Sequence, residues 1–431
     1  METSQTAAVS TKRQLGQEPA LDGVRGFAVL LVVLWHYPSD ILERQYSWLK
    51  SGHLGVDLFF VLSGFLITAL MLNEQTRTNV ISFRGFYRRR AFRLLPALFL
   101  FLAGHIVFAA LTDIPNVPLF SPGTDGADQV ASILGAAFFS LNWLSDIGDG
   151  YNISLGLAHL WSLSVEEQFY IVWPTVVVAM LSRRPAINVG ASVLGGVAVV
   201  MAGHNYIWND SDDAGRWATT AIVLAFVTGL LELIRSQRDR TVWILSIIVV
   251  IIGATLLYRN GSYEGGGEVF RLYSGTLGRA DSLMVGAGLA FIWVEGWIPR
   301  RGPTWLATVG WVFFLWAVNQ RTLGEPFFYE YGWTLVALSG AFIVWGSIGA
   351  QGTLCGRVLS MAWLRGIGKV AYGLYLWHAL VFAAVRYWWG DGSVLWKTFL
   401  ALGLTTLFTA ASWYLVEQPL LRYKTPKAAR T

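Results

Sequence analysis

The residues able to do chemistry in this chain stand inside apolar runs. In LDGVRGFAVLLVVLWHYP, Leu21 to Pro38, Arg25 opens the run and His36 closes it, eleven residues apart. In an α-helix that spacing is about three turns and roughly 16 Å, so a guanidinium and an imidazole share one face at two depths. An ionisable side chain is costly in a hydrophobic span; it faces protein or water and is a candidate functional group. The competing reading is an arginine that snorkels to one interface and a histidine that marks the other.

Three further stretches carry the same signature. GHLGVDLFFVLSGFLIT, from Gly52 to Thr68, sets His53 and Asp57 on one helical face, with Gly52, Gly55, Ser63 and Gly64 as positions where another helix can approach closely. Asp57 can orient an imidazole, of His36 or of His53, or form one half of a structural salt bridge. FRGFYRRRAFRLLP, from Phe83 to Pro96, aims Arg89, Arg90 and Arg93 from one side of a helix. Such a cluster serves topology and anionic lipid, or grips phosphates through bidentate contacts. In HLWSLSVEEQFYIVWP, His159, Glu166, Tyr170 and Trp173 fall on one helical stripe, with Glu167 about 100° away. Two adjacent carboxylates there can bind a proton, a sugar hydroxyl or Arg25, or they form an ion-pair network that fixes helix packing. Trp143, Tyr151 and Trp161 can stack on a sugar face or form an interfacial belt.

The elements that hold these groups are set by composition. With 54% hydrophobic and 14% charged residues, 21 tryptophans and a mean hydropathy of +0.49 over 431 residues, the chain is a polytopic membrane protein. The net charge of +5 is spread over short loops, which excludes a nucleic-acid-binding face. Met1 to Ala20 lacks the pattern of a cleavable signal peptide, and a lone Cys355 excludes an intramolecular disulfide and Cys-rich metal motifs. The loop after the second run holds Arg77, Arg84, Arg88, Arg89 and Arg90, whereas the one after the third holds Asp113, Asp125 and Asp128. This contrast puts the N-terminus in the cytosol.

The expected fold is all-α, with about twelve spans near 22–40, 52–73, 92–112, 159–181, 187–203, 217–235, 241–258, 278–295, 304–320, 332–349, 369–388 and 395–415. The apolar segment 130–146 is expected to be re-entrant or interfacial, because a crossing there would invert every later loop. One membrane domain, 21–417, then lies between cytosolic tails 1–20 and 418–431.

Taken in order, LDGVRGFAVLLVVLWH, GVDLFFVLSGFLIT, FYRRRAFRLLP and HLWSLSVEEQFYIVWP resemble the motifs of the acyltransferase 3 family of integral-membrane O-acyltransferases. The resemblance continues through RADSLMVGAGLA, YGLYLWH and VEQP, and covers roughly residues 18 to 422. It implies that His36 performs acyl transfer, that Arg25 belongs to the same motif, and that Arg90 and Arg93 engage the acyl donor. It further implies that Glu166, Glu167, Arg279, Asp281, Tyr372, Tyr375, His378 and Glu417 line a tunnel or acceptor site. Shorter relatives are usually described with ten spans, and some members carry an additional extracytoplasmic domain; this chain is expected to carry the acyltransferase module alone. The implied reaction moves an acetyl, succinyl or similar group from acyl-CoA to a hydroxyl of an extracytoplasmic glycan, glycolipid or glycosylated metabolite. No tightly bound cofactor and no metal are expected, and the partners are the two substrates and the bilayer of the cell membrane. His36 can act as general base or carry the acyl group as an acyl-imidazole. A transporter of lipid-linked sugars or small solutes is the rival class; it calls for an inverted hydropathy repeat that the sequence does not display.

Overall fold

Apolar runs become helices here wherever a starting signal precedes them. Pro19 occupies the first position of α1 (Pro19–Tyr37) and Asp22 its first turn, both favourable at a helix N-terminus. A 3-10 turn, Gly52–Leu54, leads into α2 (Gly55–Thr78), which stops at Asn79 in the left-handed region with φ 56°. In this computed structural model residues 12–37, 50–111, 126–144, 155–181, 240–264, 269–350, 352–389 and 392–423 are described. They continue with α3 (Phe83–Leu111), α4 (Gly126–Ala137), α5 (Leu141–Leu144), α6 (Leu155–Ala158), α7 (Trp161–Leu181), α8 (Arg240–Glu264) and α9 (Val269–Ser274). Next come α10 (Thr276–Val294), α11 (Thr304–Val318), α12 (Trp333–Ser347), α13 (Leu354–Leu359), α14 (Ala362–Lys369), α15 (Ala371–Trp389), α16 (Val394–Ala411) and α17 (Gln418–Leu421). Among the described residues there is no strand.

The long helices alternate between an end that carries Arg25, Arg90 and Arg93 and an end that carries His36 and His53. Helices α1, α3, α8, α11 and α15 run from the arginine end to the histidine end, and α2, α7, α10, α12 and α16 return. By length and composition six described helices can cross a membrane, or seven if α14 and α15, bent by 74° at Val370, form one span. The chain is therefore an all-helical membrane protein, but the count of twelve does not follow from these elements. Helices α11 and α12 are 15 residues each, and α7 carries two glutamates and Pro174. The spans expected at 187–203 and 217–235 lie outside the described residues. The segment 130–146 is not one helix: the 12-residue α4 is followed by Phe139 at φ 55° and then by the four-residue α5. Helix α3 ends and α7 begins at the histidine end.

Helix α2 lies at the centre, and glycines let its neighbours touch it. A Cβ on Gly64 would meet Leu283 O of α10 at 2.1 Å, and one on Gly286 would meet Val61 O of α2 at 2.0 Å. These two helices run parallel in backbone contact, a packing available only to small residues. Two ion pairs then join the set. Arg279 of α10 donates to Asp57 of α2 at 2.7 Å, and Arg259 of α8 donates to Asp281 of α10 at 2.9 Å and to Thr334 of α12 at 2.6 Å. The four charged side chains are 0–1% exposed. Removing one partner of such a pair leaves a buried charge and costs about 3–5 kcal/mol, whereas replacing both with apolar groups is often nearly neutral.

Two outcomes follow for purified protein in detergent. Gly64→Ala and Gly286→Ala should each lower the melting temperature, since overpacking costs about 1–3 kcal/mol. Gly366→Ala, whose Cβ meets nothing within 4 Å, should not. Equal melting temperatures for all three would reject the backbone contact. Arg259→Met alone should yield little monodisperse protein, and adding Asp281→Leu should restore it; failure of that rescue would mean that Arg259 acts through something other than its pairing with Asp281.

Candidate active site

The arginine end encloses a cavity of about 750 Å³ bounded by α1, α2, α3, α7, α14, α15 and the π-helical segment Ser412–Glu417. Arg25 projects into it from α1 and is held by Asp22 three residues earlier at 3.0 Å. Arg90 and Arg93, one turn apart on α3, line it as well. Arg90 donates to Glu167 at 2.6 Å and lies 3.2 Å over the ring of Tyr170. Tyr170, one turn from Glu166, donates to that carboxylate at 2.6 Å, and Ser63 of α2 does so at 2.5 Å. The adjacent glutamates therefore divide: Glu167 neutralises an arginine, and Glu166 gathers hydroxyls at the inner wall of the cavity. Arg25 pairs with neither.

Against the same wall lies a smaller cavity, or throat, of about 50 Å³ between α1, α2, α7 and α15. It shares Phe59, Glu166 and Tyr372 with the cavity and reaches Val32, Ser162 and Tyr375. Val32 stands one helical turn before His36. Its carbonyl lies 2.9 Å from His36 Nδ1, and since a carbonyl only accepts, that nitrogen carries the proton and the lone pair sits on Nε2. His378 contacts the Tyr375 carbonyl through Nδ1 at 2.7 Å and brings its Nε2 to 3.3 Å from His36 Nδ1. His159 packs 5.2 Å from the His378 ring, and the Tyr375 hydroxyl pairs with Ser162 at 2.8 Å and donates to the His159 carbonyl. A half-buried imidazole with a fixed tautomer, backed by two buried ones, suits proton transfer or nucleophilic attack at Nε2. Among the described residues no group of three or more His, Cys, Asp or Glu side chains is arranged to hold a metal ion.

The structure thus brings together Arg25, Arg90, Arg93, Glu166, Glu167 and Tyr372 at one end and His36, Tyr375 and His378 at the other. Tyr372 donates to the Leu94 carbonyl of α3 at 3.2 Å, which ties the two halves of the cavity wall. Arg89 is not part of it. One residue off the Arg90 face, it pairs with Glu74 at 3.3 Å on the exposed flank. Asp57 spends its hydrogen bonds on Arg279 and Ser282, not on an imidazole, because α10 packs against that face of α2. His53 instead meets Thr322 through Nε2 at 2.9 Å. Arg279 and Asp281 lie in the ion-pair network, with Arg279 4.3 Å from the Trp333 ring, 4.8 Å from Tyr273 and 6.0 Å from Trp161. Trp161 therefore packs on the network. His159 sits in the turn before α7, not on its stripe.

Sequence reasoning overlooked Arg259, whose only signal was an arginine just past the expected end of an apolar run, and did not rank His159 among the site residues. Nothing local in the sequence joins His159 to His378, more than two hundred residues away; the crossing of α15 past α7 does.

Comparison with known proteins agrees with this architecture. The family model described as "Acyltransferase domain" matches residues 18–417. A Staphylococcus aureus (strain MSSA476) protein named "Putative O-acetyltransferase" is 27% identical over 96% of this chain and 59% of its own length. "Putative peptidoglycan O-acetyltransferase YrhL" of Bacillus subtilis is 28% identical over 93% of this chain and 54% of its own length. "Peptidoglycan O-acetyltransferase OatA" of Listeria monocytogenes is 26% identical over 93% and 55%. The chain spans little more than half the length of these relatives, and no solved structure matches it. With the family model covering residues 18–417, all but the two ends of the sequence, the chain belongs to the acyltransferase domain family.

Proposed function

We propose that this protein is an integral-membrane O-acetyltransferase that takes an acetyl group from acyl-CoA at the arginine end and transfers it at His36 to a hydroxyl of an extracytoplasmic glycan, glycolipid or glycosylated metabolite. The observation that carries this reading is an arginine-lined cavity that shares Phe59, Glu166 and Tyr372 with a smaller one, whose lining residues Val32 and Tyr375 stand about one helical turn from His36 and His378. The basic loops at the arginine end support placing that end and both termini in the cytosol, where acyl-CoA is found, and the protein in the cell membrane. The names of the relatives support acetyl as the transferred group and a surface glycan as acceptor.

The chemistry is concise. Arg90 and Arg93 hold donor phosphates through charge-assisted bonds, and the thioester end enters the throat. His36 Nε2 takes the proton of the acceptor hydroxyl as its oxygen attacks the thioester carbonyl. The tetrahedral intermediate expels the thiolate, which receives that proton from the imidazolium; an ester forms and a thioester is lost. His378, close to His36 Nδ1, keeps the ring oriented through the cycle. The throat limits the acyl chain, since about 50 Å³ holds roughly three or four waters, close to the size of an acetyl group.

His36→Ala should leave the protein inserted, monodisperse and able to bind donor, while acyl transfer falls at least about a hundredfold, the lower range for a lost general base. Wild-type turnover by that variant would remove His36 from the reaction. Arg93→Ala should weaken binding of a non-hydrolysable acetyl-CoA analogue roughly tenfold or more, as expected for a lost hydrogen bond to a charged group, with acceptor affinity unchanged. Phe59→Ala should raise turnover of butyryl-CoA relative to acetyl-CoA; an unchanged ratio would mean that another constriction sets chain length. The acceptor class is read by mass spectrometry of envelope glycans, lipids and medium from wild-type and deletion strains. Loss of an acetyl ester from a glycan, glycolipid or glycosylated metabolite is the expected result, and an unaltered ester inventory in all three fractions would sink the proposed acceptor.

A further inference from the structure

The cavity at the arginine end holds two further cations. Arg365 and Lys369 stand four residues apart on α14, hence on one face, and both line it. Their helix is anchored through backbone contact. A Cβ on Gly368 would meet Asp22 O of α1 at 1.9 Å, and one on Gly26 would meet Leu364 O of α14 at 2.3 Å. The α1 segment in this contact is the one that presents Arg25, so Arg25, Arg365 and Lys369 ride on one rigid two-helix unit. Arg93 faces the same space from α3.

The charges in this cavity are unevenly spent. Arg25 is paired with Asp22 and Arg90 with Glu167. Three lining carboxylates have local donors: Glu18 accepts from the Gly349 amide, Glu166 from Ser63 and Tyr170, and Glu417 from Ser412. Among the described residues Arg93, Arg365 and Lys369 have no carboxylate within 4.0 Å, and the buried Nε of Arg365 has no hydrogen-bond partner. Burying part of a guanidinium without a partner is costly, and an anion in the cavity would supply the missing acceptor. Two cations on one wall and one on another suit a ligand with several phosphoryl groups better than one with a single charge.

Resting on the donor reading above, we propose that Arg365 and Lys369 form the second half of a phosphate clamp, opposite Arg93, for a nucleoside bearing both a diphosphate and a separate phosphate monoester, the polar half of an acyl-CoA. Arginine supplies a fork and lysine a mobile point charge to this wall. Because α14 continues across Val370 into α15, which carries Tyr372, Tyr375 and His378, the clamp also sets the register of the histidine end.

The experiment is a calorimetric titration of CoA into full-length protein in phosphatidylcholine nanodiscs. Arg365→Gln/Lys369→Gln should lose at least tenfold in affinity, Lys369→Gln alone at least threefold, and Arg365→Lys/Lys369→Arg should stay within about threefold of wild type. Arg357→Gln, which removes a charge outside the cavity, should leave binding unchanged and so exclude a general field effect. Equal CoA affinity in wild type and the double Gln variant overturns the clamp while the donor reading stands. Absence of CoA binding by the wild type overturns the donor reading and this proposal with it. A double Gln variant that binds CoA normally but loses thermal stabilisation by added phosphatidylglycerol assigns the two cations to a lipid headgroup and overturns the clamp.

Discussion

The pairing of Asp57 with Arg279 is the interaction on which the remaining architecture depends. Both charges lie inside a helical core where no water can satisfy them, so α2 and α10 must sit in a register that joins them. Gly64 and Gly286 allow the two backbones to come close enough for that register to hold. The second pair, Arg259 with Asp281, extends it to α8 and, through Thr334, to α12. Tyr273, Trp161 and Trp333 surround Arg279, supplying cation–π contact where further hydrogen bonds are absent. The scaffold behind the histidines is therefore held by charge as well as by van der Waals packing.

Against this scaffold stands a second group of elements, α1, α3, α7, α14 and α15, which carry the residues of the candidate site. Arg90 sits on Tyr170 and pairs with Glu167, so α3 and α7 are joined at the level where the cavity narrows. The break at Val370 matters for a different reason. A straight helix from Ala362 to Trp389 could not present Arg365 and Lys369 to the cavity and also carry His378 beside His36; the 74° bend permits both. The π-helical turn Ser412–Glu417 likewise turns Glu417 toward the cavity, in keeping with the use of such turns at functional sites.

Much of this was legible along the chain, because the bilayer makes polar residues conspicuous. The apolar runs declare the helices, the asymmetry of basic loops declares an arginine end, and Arg25, His36, Arg90, Arg93, Glu166 and Glu167 stand out as groups that a hydrophobic span does not tolerate without purpose. Helical periodicity also anticipated the Glu166–Tyr170 contact and the close-packing role of Gly64. These are local properties, set by spacing within one helix and by the solvent that surrounds it.

Partnership was decided by tertiary structure alone. Asp57 had two imidazoles within plausible reach and bonded instead to Arg279, 222 residues away, because α10 covers that face of α2. Glu166 and Glu167 are neighbours in the chain, yet one gathers hydroxyls and the other holds an arginine, since successive residues on a helix face different helices. Arg89 and Arg90 separate in the same way. The sequence by itself determined which residues must leave the lipid; the packing of helices distant in the chain determined which of them meet, because an ion pair or a hydrogen bond between spans depends on relative depth and rotation, and neither is encoded within a single span.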